Sequence, residues 1–285
     1  MAPKHKLLAF ADVDVGIQEG RLDLSLLYPD TRSRARFEKM WPEFFASDST
    51  HPHIFMREGD DILVFRTESL IPFKSDGRPS VLMLFGNPAS HSVFSGMYFS
   101  FEGAHHEHRF WIALRETGFL EFRSDAPRFQ LSWDERNRIR KKEFCNLEYQ
   151  SPFRIGLAVY FSIPSAASRP LWSGVGGLQR LFGRKALRSI ATVEQRRIES
   201  IIVNFICRGG GVIAFQRDAY EGVRAPDAPP YNMDLAKRGE LYGNCKYKSK
   251  VDLLGAPATR CLHSRTSREV LIQFKTHILE SLERK

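Results

Sequence analysis

Asn87 and His263 are the two residues whose type and setting best suit catalysis. Asn87 follows the apolar run Val81 to Phe85 and Gly86, and His263 follows a second apolar run, Val251 to Leu254, ahead of a patterned helix. A side-chain amide can hold a water by hydrogen bonds beside a reacting carbon, although it activates that water less than a carboxylate does. A donating imidazole can stabilise negative charge growing on a leaving group, commonly by about 3 to 4 kcal/mol per well-placed donor. Phe99 could supply a flat aromatic platform. Ser90, Ser162, Ser165, Ser168 and Arg265 could hold the edge of a ligand or its anionic groups.

Each residue also has a plainer reading. Asn-Pro starts turns, Phe99 stands among Met97, Tyr98 and Phe101 and could belong to a core, and a lone histidine such as His263 is commonly a surface residue. Arg265 and the run Arg136, Arg138, Arg140, Lys141, Lys142 could form a solvated rim or add nonspecific affinity for polyanions. His105, His106 and His108 with Glu107 superficially suggest a metal cluster, but adjacent helical side chains diverge and no partner histidines stand nearby in sequence. The four cysteines, Cys145, Cys207, Cys245 and Cys261, contain no CxxC and read as reduced thiols. No metal and no cofactor are expected.

The elements that must position these residues follow from periodicity. Val81–Phe85, Ile155–Phe161, Val212–Phe215 and Val251–Leu254 are short apolar runs, as expected of strands covered on both faces. Helical segments alternate with them. One spans Glu107–Thr117 and closes at Gly118; the others are capped by Ser132 with Glu135, Thr192 with Gln195 and Thr266 with Glu269. In the last, Val270, Leu271, Phe274, Ile278 and Leu282 make a buried stripe. This alternation predicts an α/β fold of three layers, with a short, twisted parallel sheet of about four strands between helices. Ligands bind such sheets beyond the carboxyl ends of the strands, directly after Phe85, Phe161, Phe215 and Leu254. Residues 1–75 read as an N-terminal extension packed on this domain of residues 76–285. It comprises a helix capped by Asp30 and running through Phe45, kinked or interrupted at Pro42, and a hairpin made by HIFM and DILVF.

Asn87, Pro88, Gly96, Phe99, Arg109, Phe110 and Trp111 keep the order of the first motif of the uracil-DNA glycosylase superfamily. The likeness is to its mismatch-specific branch, where Asn-Pro-Gly follows the first strand and Asn-Arg-Phe-Trp opens a helix. His263, Ser264, Arg265, Thr266 and Ser267 stand where that family writes His-Pro-Ser or Asn-Pro-Ser. The chain departs from the pattern at Ala89, at the residue after His263, and at Ser162, which occupies the strand end where the family often has a base-reading asparagine. The resemblance covers roughly residues 80 to 282.

The resemblance implies a uracil-DNA glycosylase-like fold and hydrolysis of the N-glycosidic bond of uracil or another deaminated base in DNA, leaving an abasic site for base excision repair. Asn87 would hold the water and His263 would stabilise the departing base. Phe99 would receive the flipped base, with Ser90, Ser162, Ser165, Ser168 and Arg265 binding base and DNA. Neither motif contains a lysine, which implies a monofunctional enzyme without lyase chemistry. The departures leave a second reading open, a noncatalytic or re-purposed member that binds nucleic acid or a free nucleobase.

Composition agrees with a DNA partner. The 285 residues carry 42 Lys and Arg against 33 Asp and Glu, a formal charge of +9, and such an excess favours a polyanion. No secretory leader or membrane span is readable, so a monomer in the cytoplasm, associated with the nucleoid, is expected.

Overall fold

The computed structural model describes residues 6–100, 106–125, 131–167, 169–207, 209–259 and 265–283, without the side chains of 265–267, 282 and 283. The chain opens with β1 (Leu8–Asp14), β2 (Ile17–Asp23), α1 (Leu24–Leu27), α2 (Thr31–Phe45), α3 (His51–Ile54), β3 (Phe55–Glu58) and β4 (Ile62–Glu68). It continues with β5 (Ser80–Phe85), α4 (Ser90–Ser95), α5 (Arg109–Glu116), β6 (Glu121–Phe122), α6 (Trp133–Asn146), β7 (Tyr149–Gln150) and β8 (Arg154–Val159). Then follow α7 (Gly174–Phe182), α8 (Arg184–Phe205), β9 (Gly211–Phe215), α9 (Arg217–Val223), α10 (Met233–Arg238), β10 (Tyr242–Asn244), β11 (Asp252–Ala256) and α11 (Arg265–Glu283).

The central sheet has five strands in the order β10-β11-β9-β5-β8. Its β8, β5, β9 and β11 are parallel, as their apolar runs predict, and β10 is antiparallel to β11. The expectation of a purely parallel sheet is thereby corrected. Parallel strands need a crossover of a dozen or more residues, and the short turn between Asn244 and Asp252 permits only a hairpin. Alternate residues of the strands feed two apolar cores. Val81, Met83 and Phe85 pack with α5, α6 and α11, while Leu82 and Leu84 pack with α7, α8 and α9. Helices therefore flank both faces of the sheet.

From β5 the chain crosses to β8 on one side and then to β9 on the other. The carboxyl ends of β5 and β9 thus flank the topological switch point, the position at which sheets of this kind commonly carry the ligand crevice.

The N-terminal residues form their own antiparallel sheet, β1-β2-β4-β3, in which β3 and β4 are the expected hairpin. Strands β1 and β2 have no counterpart among the elements expected from the sequence. Leu8, Leu22, Phe37 and Phe65 join the same core as α7 and α8. Leu70 then makes a bridge with Leu157 through bonds of 3.0 and 2.8 Å, covering the outer edge of β8.

The Asp30 cap and the Ser132–Glu135 capping box form as expected, whereas α2 is not interrupted at Pro42 but continues through it to Phe45. Thr192 does not cap a helix. It lies within α8, and its hydroxyl donates to the Arg188 carbonyl 3.1 Å away, a back-bond inside a helix that begins one glycine after α7. The helix expected from Glu107 starts at Arg109, because the Nδ1 of His108 accepts from the Phe110 amide at 3.1 Å and acts as the cap. The pairing of Thr266 with Glu269 involves a side chain outside the described residues; Val270, Leu271, Phe274 and Ile278 of α11 are buried as anticipated. Among the described residues, no helix is long and apolar enough to cross a membrane.

Candidate functional site at the strand ends

Gly86 and Asn87 continue β5 past the edge of the sheet. The Gly86 carbonyl accepts from the Phe161 amide at 2.7 Å, so the chains leaving β5 and β8 stay together beyond the ladder. They remain paired further out, where Ser165 N donates to the Pro88 carbonyl at 3.1 Å and Ser90 N to the Ser165 carbonyl at 3.0 Å.

Asn87 is half-buried between these two chains. Its Nδ2 donates to the Ser165 hydroxyl at 2.9 Å and to the carbonyls of Ile163 and Pro88 at 3.3 Å each. Carbonyls accept only, which fixes the orientation of the amide with nitrogen toward the loop. Oδ1 is directed elsewhere and has no hydrogen-bond partner among the described residues. Ser165 is itself held, since its hydroxyl accepts from Gly174 N at the start of α7 at 2.8 Å.

Across the switch point Gln216 follows β9. Its φ of 80° is a left-handed conformation that side chains rarely adopt, and its amide nitrogen bonds the Ala256 carbonyl at the end of β11 at 3.0 Å. The Gln216 side chain lies over Gly86 so closely that a Cβ there would fall 1.4 Å from its Nε2. A Cβ at Gly86 would have to displace the end of that side chain, and backbone strain of the kind seen at Gln216 clusters at functional sites. The sequence placed Gln216 directly after a buried strand without revealing its backbone.

Phe99 is half-buried and also has a positive φ, 50°. Its ring stands edge-on to Phe85 at 5.1 Å between centroids, with Phe110 at 4.4 Å and His108 at 4.7 Å. The indole nitrogen of Trp111 donates to the carbonyls of Tyr98 and Phe99 at 3.0 and 3.1 Å, which fixes this turn of chain. The motif residues Phe99, Phe110 and Trp111 therefore converge beside Phe85.

Two other residues are occupied elsewhere. Ser162 is fully buried, with its amide 2.7 Å from Oε1 of Glu194 and its hydroxyl donating to the same oxygen. Glu194 also pairs with Arg197 at 2.6 Å. Ser90 is fully buried, and its hydroxyl donates to Oδ2 of Asp48 at 2.7 Å. Asp48 gathers the Ala167 amide at 3.4 Å and the Thr50 amide and hydroxyl at 3.0 and 2.7 Å. Burial raises its pKa, but the bonds from Thr50, Ser90 and Ala167 outweigh that and hold the carboxyl below its usual range. The N-terminal segment thus clamps both loops that carry Asn87 and Ser165.

His263 and Ser168 lie outside the described residues, as does the side chain of Arg265. β11 ends at Ala256 beside Phe215, on the same edge as the crevice, and Arg265 begins α11. The basic run of α6 is divided. Arg140 is buried against Glu107 and Asp125, and Lys141 reaches Asp14 at 3.2 Å, leaving Arg138 and Lys142 exposed. Among the described residues, no three His, Cys, Asp or Glu side chains gather to hold a metal ion.

Comparison with protein-family models gave no match, and comparison with curated proteins gave no significant match.

Proposed function

We propose that this chain is a monofunctional DNA glycosylase with a uracil-DNA glycosylase-like fold, acting as a monomer on a deaminated base in DNA within the cytoplasmic nucleoid. The observation that carries the reading is Asn87 at the switch point, its amide nitrogen held by three acceptors and its oxygen left to position a water. Breaking the N-glycosidic bond separates a cationic sugar from an anionic base, so the site must steady both and present one water. Asn87 Oδ1 accepts a hydrogen bond from that water and aligns it with the anomeric carbon. His263, in the segment joining β11 to α11, donates to the carbonyl oxygen of the leaving base.

A base inside a duplex is out of reach and must be extruded, at a cost of a few kcal/mol. Phe99, backed by Phe85 and Phe110, provides the surface for its face. Ser162 is bonded to Glu194, so reading the base edge falls to the amide of Gln216. Neither motif supplies an amine for a Schiff base, and the product is an abasic site.

The engagement of Ser162 also favours the alternative of a nucleic-acid or nucleobase binder without catalysis. The two separate in one assay. Labelled single- and double-stranded oligonucleotides carrying uracil, hypoxanthine or xanthine are incubated with the protein and treated with alkali. Strand cleavage lost in both Asn87→Ala and His263→Ala supports the enzyme; binding with no cleavage of any lesion supports the alternative.

A further inference from the structure

Residues 169–197 carry seven of the chain's basic residues against a single acidic one, Glu194. Two hydrogen bonds fix where this segment stands. Glu194 of α8 receives the Ser162 amide just past the end of β8, and the Phe205 carbonyl, at the other end of α8, receives the Arg154 guanidinium from the first residue of β8 at 3.2 Å. The helix therefore runs antiparallel to β8, and the residues before Glu194 project beyond the carboxyl edge of the sheet. At 1.5 Å per residue that overhang is roughly 15 Å.

Arg180, Arg184, Lys185 and Arg188 on this projection are all exposed. Gly183, at φ 83°, turns α7 into α8, and a Cβ there would lie 3.0 Å from the guanidinium of Arg36 on α2. The arrangement is rigid, because the Tyr28 hydroxyl donates to the Phe182 carbonyl at 2.9 Å and the rings of Phe37 and Phe182 stack at 5.6 Å. The nearby carboxylates are largely engaged. Glu38 pairs with Arg34 and Arg57, Glu194 pairs with Arg197, and Asp30 caps α2 while lying close enough to Lys185 to feel its charge.

We infer that Arg36, Arg180, Arg184, Lys185 and Arg188 form a phosphate-binding ridge on the β8 side of the crevice, built jointly by the N-terminal segment and the α7–α8 junction at Gly183, whose partner is the DNA backbone. The inference deepens the glycosylase reading and rests on it for the choice of DNA as the polyanion. The ridge carries sequence-independent affinity and sets the orientation in which the strand reaches the crevice. It takes the place of the basic run on α6, whose central arginine is buried in ion pairs.

The test is fluorescence anisotropy with a labelled, undamaged duplex over a series of salt concentrations. For wild type and for Arg36→Gln/Arg184→Gln/Arg188→Gln, the logarithm of the association constant is plotted against that of salt. Each lost phosphate contact should flatten the slope by about one, so the triple variant should lose roughly two to three and bind at least about tenfold more weakly at low salt. The corresponding lysine triple keeps the charges and should retain the slope. If the glutamine triple does not fold by circular dichroism, Arg188→Gln alone is read, with an expected change of about one.

An unchanged slope overturns the ridge, as does an equal loss in Arg138→Gln/Lys142→Gln on α6. Wild-type protein that ignores the duplex but binds phosphatidylserine vesicles overturns it in favour of a membrane surface. The undamaged probe carries no target base, so failure of the ridge is read separately from failure of base excision.

Discussion

The side-chain nitrogen of Asn87 lies 2.9 Å from the hydroxyl oxygen of Ser165, joining the loop after β5 to the loop after β8. Because Gly174 N donates to the same oxygen, the start of α7 helps aim the amide at the crevice. In the proposed glycosylase Asn87 is the group that positions the water, and a group held this way depends on neighbours that never touch the substrate.

Ser165→Ala should consequently lower the rate of base release by about tenfold, with little change in substrate affinity, since loosening a positioning contact raises the barrier more than it weakens binding. Asn87→Ala should lower it by about 100-fold or more, and the double variant should be no worse than Asn87→Ala. Single-turnover rates of the three proteins on a uracil-containing strand give the answer. Additive losses would show that the two residues act independently.

The fully buried Ser90 and the half-buried Asp48 link the N-terminal segment to α4. Asp48→Asn replaces a charged acceptor that serves four donors and should destabilise the protein by about 1 to 3 kcal/mol in urea titrations. The pKa of Asp48 is lower in the folded state than its ordinary value of 3.8. Its contribution is present above that value and lost as pH falls through the folded pKa, so the difference between wild type and variant should shrink as pH falls below 3.8.

The fully buried Arg140 sits between Glu107 and Asp125. Burial raises the pKa of Glu107, but the hydrogen bond from Arg115 and the charge and hydrogen bond of Arg140 hold it below its usual value. Arg140→Met strands these carboxylates and should cost about 3 kcal/mol, the low end of the range for a broken buried pair, because Glu107 and Arg115 keep some contact with water. Denaturant unfolding checks the figure.

Glu68 behaves oppositely. Burial raises its carboxyl well above the ordinary value of 4.5, and Oε1 is buried without a partner. The folded state therefore retains a proton that the unfolded chain loses. Stability from this group is full below about pH 4.5 and declines as pH rises toward the folded value. Glu68→Gln should be thermally more stable than wild type at pH 8, with the difference shrinking toward pH 4. A pH-independent difference would contradict the assignment.

Strands buried on both faces were legible because Val81–Phe85 and Val212–Phe215 leave no polar gap, and caps such as Ser132 with Glu135 are local chemistry. β1 was not, because Asp12 and Asp14 interrupt its apolar pattern and its partner β2 supplies the burial. Thr192 with Gln195 imitated a helix start, whereas the actual start depends on the turn at Gly183. At the site, Asn87 and Phe99 could be chosen from their order in the chain. The positive φ of Gln216 and the capture of Ser162 by Glu194, 32 residues away, depend on tertiary contacts that no local pattern announces. The clamp on Ser90 by Asp48, 42 residues before it, is of the same kind.

The most direct measurement is detection of the free base by mass spectrometry, with protein in excess over single-stranded DNA carrying uracil, hypoxanthine or xanthine. A cleft that holds a water on Asn87 should release one of these bases, in an amount equal to the abasic sites formed and greatly reduced in Asn87→Ala. Intact DNA with all three lesions, or equal release by wild type and Asn87→Ala, would contradict the account.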